Sequence, residues 1–186
     1  NELGGRYADA AKILVDGDTL VSLLDDWGAD SEVINRSLRD VAHTKTVEER
    51  TRDSIAGFGE IWSARLLAAY LKQRLGDGRG GTWIDARDVI TVSHSELGPV
   101  VNWDTSRDNF ARVVSPNFNG VAVITGYIAS DEDGMQTTLG RNGSDFSAAI
   151  MASLTNAGEL SIWTDVDGVM SADPNRVPDA QVIDSL

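Results

Sequence analysis

The stretch GVAVITGYIAS, residues 120–130, carries an apolar run set between glycines. A half-exposed strand alternates apolar and polar residues, whereas this run has no polar face and suits a sheet covered on both sides. Its neighbours follow the same logic. IWSARLLAAYLKQRLGDG (61–78) predicts a helix ending at Gly76, and TWIDARDVITVS (82–93) predicts two short strands or a strand and its turn. The polar stretch 94–119 holds a helix or turns around SRDNFARVV, and the run 120–130 forms a buried strand ending at Gly126. DEDGMQ (131–136) reads as a surface turn, SDFSAAIMASLTNAG (144–158) as a helix, and ELSIWTDVDGV (159–169) as a strand entering an acidic loop. Strands alternating with helices indicate an α/β fold with a mainly parallel sheet. In such sheets ligands bind beyond the carboxyl ends of the strands. Three loops rich in glycine or aspartate are expected at such ends: GFGE (57–60), TGYIAS through LGRNGSD (125–145) and TDVDG (164–168).

The first fifty residues read differently. YADAAKILVDGDTLVSLLDDWG (7–28) places Ile13, Leu14, Leu20, Leu23, Leu24 and Trp27 at mostly helical spacing, interrupted by the polar Asp16–Asp18. A second helix is expected from Ser31, a suitable N-cap ahead of Val33, Ile34, Leu38 and Val41. With 186 residues and no repeat or proline-rich linker, one domain is the economical reading. The chain opens at Asn1 and closes at Leu186 without a helix terminator, so it reads as a piece of a longer protein with no targeting segment in view.

Bulk properties narrow the chemistry. A formal net charge of −13 disfavours unspecific nucleic-acid binding, and no apolar run approaches the length of a membrane span. The absence of cysteine excludes disulfides, thiol nucleophiles and thiolate metal sites. His43 and His94 sit in polar surroundings without a second ligand at metal-like spacing and read as surface histidines. There is no P-loop, no G-x-G-x-x-G after a strand and no protein-kinase signature.

LGRNGSD (139–145) is the most informative loop. Gly140 and Gly143 allow a sharp turn around Arg141, whose guanidinium can hold a carboxylate through two parallel hydrogen bonds. Ser144 is a suitable N-cap and Asp145 would begin the helix, whose free amides favour an anion. An aspartate beside an anion needs a lysine or Mg²⁺ to offset it. A capped helix after a glycine turn, with no ligand at all, uses the same residues. In GFGE, Glu60 falls at an expected helix start, suited either to simple charge complementarity or to a substrate ammonium group. Thr164, Asp165 and Asp167 precede turns at Gly168 and Pro174; such acidic loops bind Mg²⁺ or a nucleotide edge, although D-G and D-P are also ordinary turn dipeptides.

Taken together and in this order, GFGEIWSARLLAAYL, TWIDARDVI, ITGYIAS, TTLGRNGSDFSAAIMAS and IWTDVDGVMSADPNRV resemble the aspartokinases of the amino acid kinase superfamily, with the bifunctional aspartokinase–homoserine dehydrogenases as the best likeness. The resemblance implies a three-layer αβα sandwich around a mainly parallel sheet, here incomplete. Residues 1–186 would be part of the catalytic domain, with 1–53 a variable helical region and 54–186 the substrate- and nucleotide-binding core. The implied reaction is phosphoryl transfer from ATP, with Mg²⁺, to the side-chain carboxylate of L-aspartate, giving 4-phospho-L-aspartate, the entry to lysine, threonine and methionine. By resemblance, Glu60 binds the substrate, Arg141 grips a carboxylate with Gly143 and Ser144 supporting the loop, and Asp145 sits catalytically beside the transferred phosphoryl group. Thr164, Asp165, Met170 and Arg176 would line the nucleotide site. A homo-oligomer is implied for the full-length protein, in the cytoplasm of a bacterium or the plastid of a plant.

The chain also departs from the pattern. The family's N-terminal KFGG lysine has no counterpart in Lys12, Lys45 or Lys72, the only lysines. Met170 stands where many members carry tyrosine, and Asn175 where they carry arginine, with Arg176 one place later. The later VLHP segment and the regulatory domains are absent. The chain by itself is therefore expected to be inactive, and a ligand-binding piece without catalysis, or a different amino acid kinase, are the alternative readings.

Overall fold

Three helices open the chain. In the computed structural model, which describes residues 2–76, 78–163, 168–173 and 176–183, these are α1 (Glu2–Leu14), α2 (Gly17–Thr44) and α3 (Glu49–Leu75). The break between α1 and α2 falls at the expected polar Asp16, and α3 ends at Gly76, whose positive φ of 77° favours glycine. Ser31 does not start a helix. It lies inside α2, because no proline or left-handed residue interrupts residues 28–31 and the Asp30 carboxylate is engaged by Trp62 and Arg65. Apolar side chains join the helices: Ala11, Val15, Leu23 and Leu66 form a compact core where α1, α2 and α3 pack.

GFGE likewise is not a loop. Gly57 and Glu60 lie within α3, whose residues Gly57, Phe58, Ile61, Ala64 and Ala68 are buried. Their spacing of one, three and four residues marks a single helical face. Gly57 reads as a turn residue, yet its role is close packing. A Cβ there would lie 2.8 Å from Cγ2 of Ile128 and 2.3 Å from Nε2 of Gln136.

The strands are short. They are β1 (Thr82–Ile84), β2 (Val92–Ser95), β3 (Gly98–Val101), β4 (Ala122–Ile124), β5 (Ile128–Ser130) and β6 (Gln136–Thr138), with a 3₁₀ turn at Ala86–Asp88. β1 and β4 pair in parallel, Thr82 opposite Ala122 and Ile84 opposite Ile124. A parallel bridge joins Thr91 to Ser130, and the Ser130 N–H donates to the Ile90 carbonyl at 2.9 Å. β2–β3 and β5–β6 are antiparallel hairpins, so parallel pairing among the described residues is confined to the β1–β4 pair and this bridge. The expected turn at 131–136 closes β5 onto β6: the Asp131 carboxylate accepts the N–H groups of Asp133 and Met135, and Gly134 takes φ 75°.

Helices α4 (Trp103–Val113) and α5 (Gly143–Thr155) complete the arrangement. α3 covers β1, β4 and β6, while α4 and α5 pack on one another. Between them Ile61, Val89, Ile90, Val92, Ile128 and Ile150 are fully buried, each worth about 1.5–3 kcal/mol of burial. The result is an incomplete αβα fold. Two strand expectations need correction. The run 120–130 is two strands, not one, because Tyr127 adopts φ 71° and turns the chain between β4 and β5. Residues 159–163 form no strand with any of the described residues, and Trp163 is 95% exposed.

Candidate active site

The loop after β6 becomes the start of α5 within a few residues. Gly140 takes φ 73° and Asn142 φ 58°, and the Gly143 N–H donates back to the Gly140 carbonyl at 3.0 Å. This tight turn supports the expected role of Gly140. The cap is displaced by two residues, since Asn142, not Ser144, occupies the N-cap position. Asparagine is several-fold enriched among non-glycine residues in the left-handed region. Its side chain makes no capping hydrogen bond. The first-turn amides of Ser144 and Asp145 have no acceptor within the helix and none among the described residues, so this helix end offers donors and a partial positive charge.

A cleft of about 590 Å³ opens at this point, lined by Tyr127, Gly140, Arg141, Asn142, Gly143, Ser144 and Asp145. Arg141, Ser144 and Asp145 are exposed to solvent, whereas Gly143 is buried. A Cβ on Gly143 would stand 2.8 Å from Cδ2 of Tyr127 and 3.2 Å from Cβ of Leu139. Gly143 is thus glycine because an aromatic ring lies against it, while the sharp turn belongs to Gly140 and Asn142. The far wall is the β4–β5 connection. Thr125 is fully buried, its hydroxyl accepting the Trp83 Nε1–H at 3.0 Å, and its N–H donates to the Ile84 carbonyl. The cleft therefore opens beside the carboxyl end of β4, where an α/β sheet places its ligand.

A second polar group stands at the carboxyl end of β1. Arg87 bonds Asp85 through Nε (2.9 and 3.0 Å) and Nη2, and donates from Nη1 to Gln136 Oε1 at 2.8 Å. Donating these hydrogen bonds to the Asp85 carboxylate pushes the Arg87 guanidinium above its ordinary value, keeping it charged. Gln136 in turn donates to the carbonyls of Asp53 and Ser54 in α3. Strand end, hairpin and helix are tied together.

The structure gathers Arg141, Gly143, Ser144 and Asp145 on one cleft. Glu60 is half-buried on α3 and is not among the cleft's lining residues. The macrodipole argument for it fails, since it sits eleven residues past Glu49, the first residue of α3. Met170 pairs with Val182 in an antiparallel bridge, and the Arg176 N–H closes a turn on the Asp173 carbonyl; neither lines the cleft. Thr164 and Asp165 lie outside the described residues. Sequence reasoning passed over Tyr127, Asn142 and Ser147. The Asn-Gly dipeptide was a usable signal for Asn142; a left-handed tyrosine has no signature in a sequence.

Comparison with known proteins agrees with this geometry. The profile of the amino acid kinase family matches residues 13–186. The chain is 40% identical over 184 residues to bifunctional aspartokinase/homoserine dehydrogenase 1, chloroplastic, of Arabidopsis thaliana, covering 97% of this chain and 20% of that protein. It is 36% identical over 132 residues to the Escherichia coli (strain K12) bifunctional aspartokinase/homoserine dehydrogenase 2, covering 71% of this chain and 16% of that one. It spans about a fifth of the length of such relatives. Among solved structures, E. coli aspartokinase III in complex with aspartate and ADP superposes with a TM-score of 0.65 at 26% identity, over 97% of this chain and 44% of that one. No helix among the described residues is long and apolar enough to cross a membrane. Family profile, relatives and fold converge, and the chain belongs to the amino acid kinase family, with aspartokinases among its relatives.

Proposed function

We propose that this chain is part of the catalytic domain of an aspartokinase in a longer protein, with 1–53 its variable helical region and 54–186 its substrate- and nucleotide-binding core. The reaction is phosphoryl transfer from ATP to the side-chain carboxylate of L-aspartate, giving 4-phospho-L-aspartate, the precursor of lysine, threonine and methionine. The observation that carries this reading is one cleft in which Arg141 meets the uncapped first turn of α5. Arg141 supplies a bidentate grip for a carboxylate, and the amides of Ser144 and Asp145 supply donors for a phosphoryl oxygen. The protein's part is positioning and charge neutralisation, as phosphoryl transfer requires.

Glu60 would meet the substrate ammonium from α3, and Thr164, Asp165, Met170 and Arg176 would border the nucleotide. One exposed carboxylate, Asp145, beside a helix N-terminus suits Mg²⁺ carried in on the phosphates of ATP, where the ion offsets their charge. The full-length protein would act as a homo-oligomer, in a bacterial cytoplasm or a plant plastid.

The test is ATP-dependent formation of aspartyl hydroxamate by the full-length protein. Activity with L-aspartate, and a roughly hundredfold loss of kcat/KM in Arg141→Ala, are expected, as a lost charge-assisted contact of about 2–3 kcal/mol would give. Equal activity of both proteins overturns the role of Arg141, and no phosphorylation of aspartate overturns the reading. Residues 1–186 alone are expected to be inactive.

A further inference from the structure

The wall of the cleft at Tyr127 is held by a residue outside it. Ser147 lies one turn into α5, is 4% exposed, and does not line the cleft. Its hydroxyl accepts the Tyr127 N–H at 2.9 Å and donates to the Gly143 carbonyl at 2.9 Å. One oxygen therefore joins the β4–β5 connection to the first turn of α5, the two walls that face each other. Tyr127 needs such a hold. It is in the left-handed region at φ 71°, which for a residue with a bulky side chain persists only when the surroundings impose it. Three contacts impose it here: the N–H on Ser147, the carbonyl accepting the Leu139 N–H at 2.8 Å, and the ring against Gly143.

We propose that Ser147 is a positioning residue for phosphoryl transfer, fixing the amides of Ser144 and Asp145 and the Tyr127 wall in one register. The inference rests on the aspartokinase reading above. Serine suits the task because its hydroxyl is at once acceptor and donor, and both partners are backbone groups whose geometry the rest of the site follows. Alanine would leave the Tyr127 N–H without its acceptor and remove the second donor on the Gly143 carbonyl, which keeps only its place in the helix ladder. The α5 amides would then lose their fixed distance from the opposite wall, and sub-ångström misplacement at a phosphoryl-transfer site lowers turnover.

The experiment compares full-length wild type, Ser147→Ala, Ser147→Thr and Ser147→Cys by kcat, by KM for aspartate and for ATP, and by thermal midpoint, with all kinetics run well below every midpoint. Ser147→Ala is expected to lower kcat roughly tenfold or more with KM for ATP changed less than threefold, and Ser147→Thr, which restores the hydroxyl, to return kcat to within about threefold of wild type. A kcat unchanged in folded Ser147→Ala, with only the midpoint lowered, makes Ser147 a purely structural residue and overturns the proposal; so does failure of folded Ser147→Thr to recover. Should Ser147→Ala not fold, Ser147→Cys decides, its weak thiol partner predicting an intermediate kcat and an unchanged kcat refuting the assignment. Wild type without aspartate-dependent turnover is a different failure, that of the functional reading itself.

Discussion

Gly57 and Gln136 meet so closely that a Cβ on the glycine would lie 2.3 Å from the amide nitrogen of Gln136. That amide is not free to retreat, because it donates to the Asp53 and Ser54 carbonyls while its oxygen accepts from Arg87. Gly57→Ala adds about 1 kcal/mol of helix propensity in its favour and an overpacking cost of about 1–3 kcal/mol against. Net destabilisation is expected as a lower urea midpoint, and a raised midpoint would show that α3 has room to shift.

Gly143→Ala separates backbone freedom from contact. This position has no positive φ, so the penalty comes from contact, first with the Tyr127 ring 2.8 Å from the added carbon and then with Cβ of Leu139 at 3.2 Å. We expect weaker aspartate binding by calorimetry, on the order of tenfold, which a second change Tyr127→Ala partly relieves by clearing the ring. Additive losses in the double variant would mean that the ring is not what excludes a side chain there.

Asp30 anchors the helical region. Its Oδ2 accepts both the Trp62 Nε1–H and Arg65 Nη1–H at 2.9 Å, while the Arg65 guanidinium stacks 4.5 Å from the Trp83 ring centroid. Asp30→Ala leaves two donors unmet in a half-buried setting, costing about 1–3 kcal/mol in denaturant unfolding. The cost should exceed that of Asp104→Ala, whose contact with Arg107 is a surface pair within one helix. Equal costs would place Asp30 among ordinary surface charges.

Tyr7 gives a pH signature at the junction of α1, α2 and α3. Burial pushes its phenol above the ordinary value, helped by Asp26 and Asp30 against the opposing pull of Arg65. The folded state thus binds the proton more tightly than the unfolded chain. The associated stability is complete below pH 10 and is lost as pH rises through the raised value. Tyr7→Phe should flatten the part of the stability decline above pH 10 that Tyr7 causes. An identical decline in wild type and Tyr7→Phe would assign it wholly to other groups.

The local sequence carried a great deal. Apolar runs alternating with helices declared the α/β class, the Gly76 stop and the Asp131–Gly134 turn followed from side-chain size and hydrogen-bonding capacity, and LGRNGSD announced an arginine loop leading into a helix. These depend on neighbours within a few residues, which a sequence displays. Tertiary packing decided the rest. GFGE has the composition of a loop, yet it lies inside α3, and position 57 is glycine because a Cβ there would clash with Ile128 and Gln136, more than seventy positions away. Glu60 lies in the middle of α3 instead of at a helix end, because α3 runs unbroken from Glu49 to Leu75. The left-handed Tyr127 and the hydroxyl of Ser147 that holds it depend on contact between residues twenty apart. A cleft is made where separate segments meet, and the energies that fix their meeting belong to the folded chain as a whole.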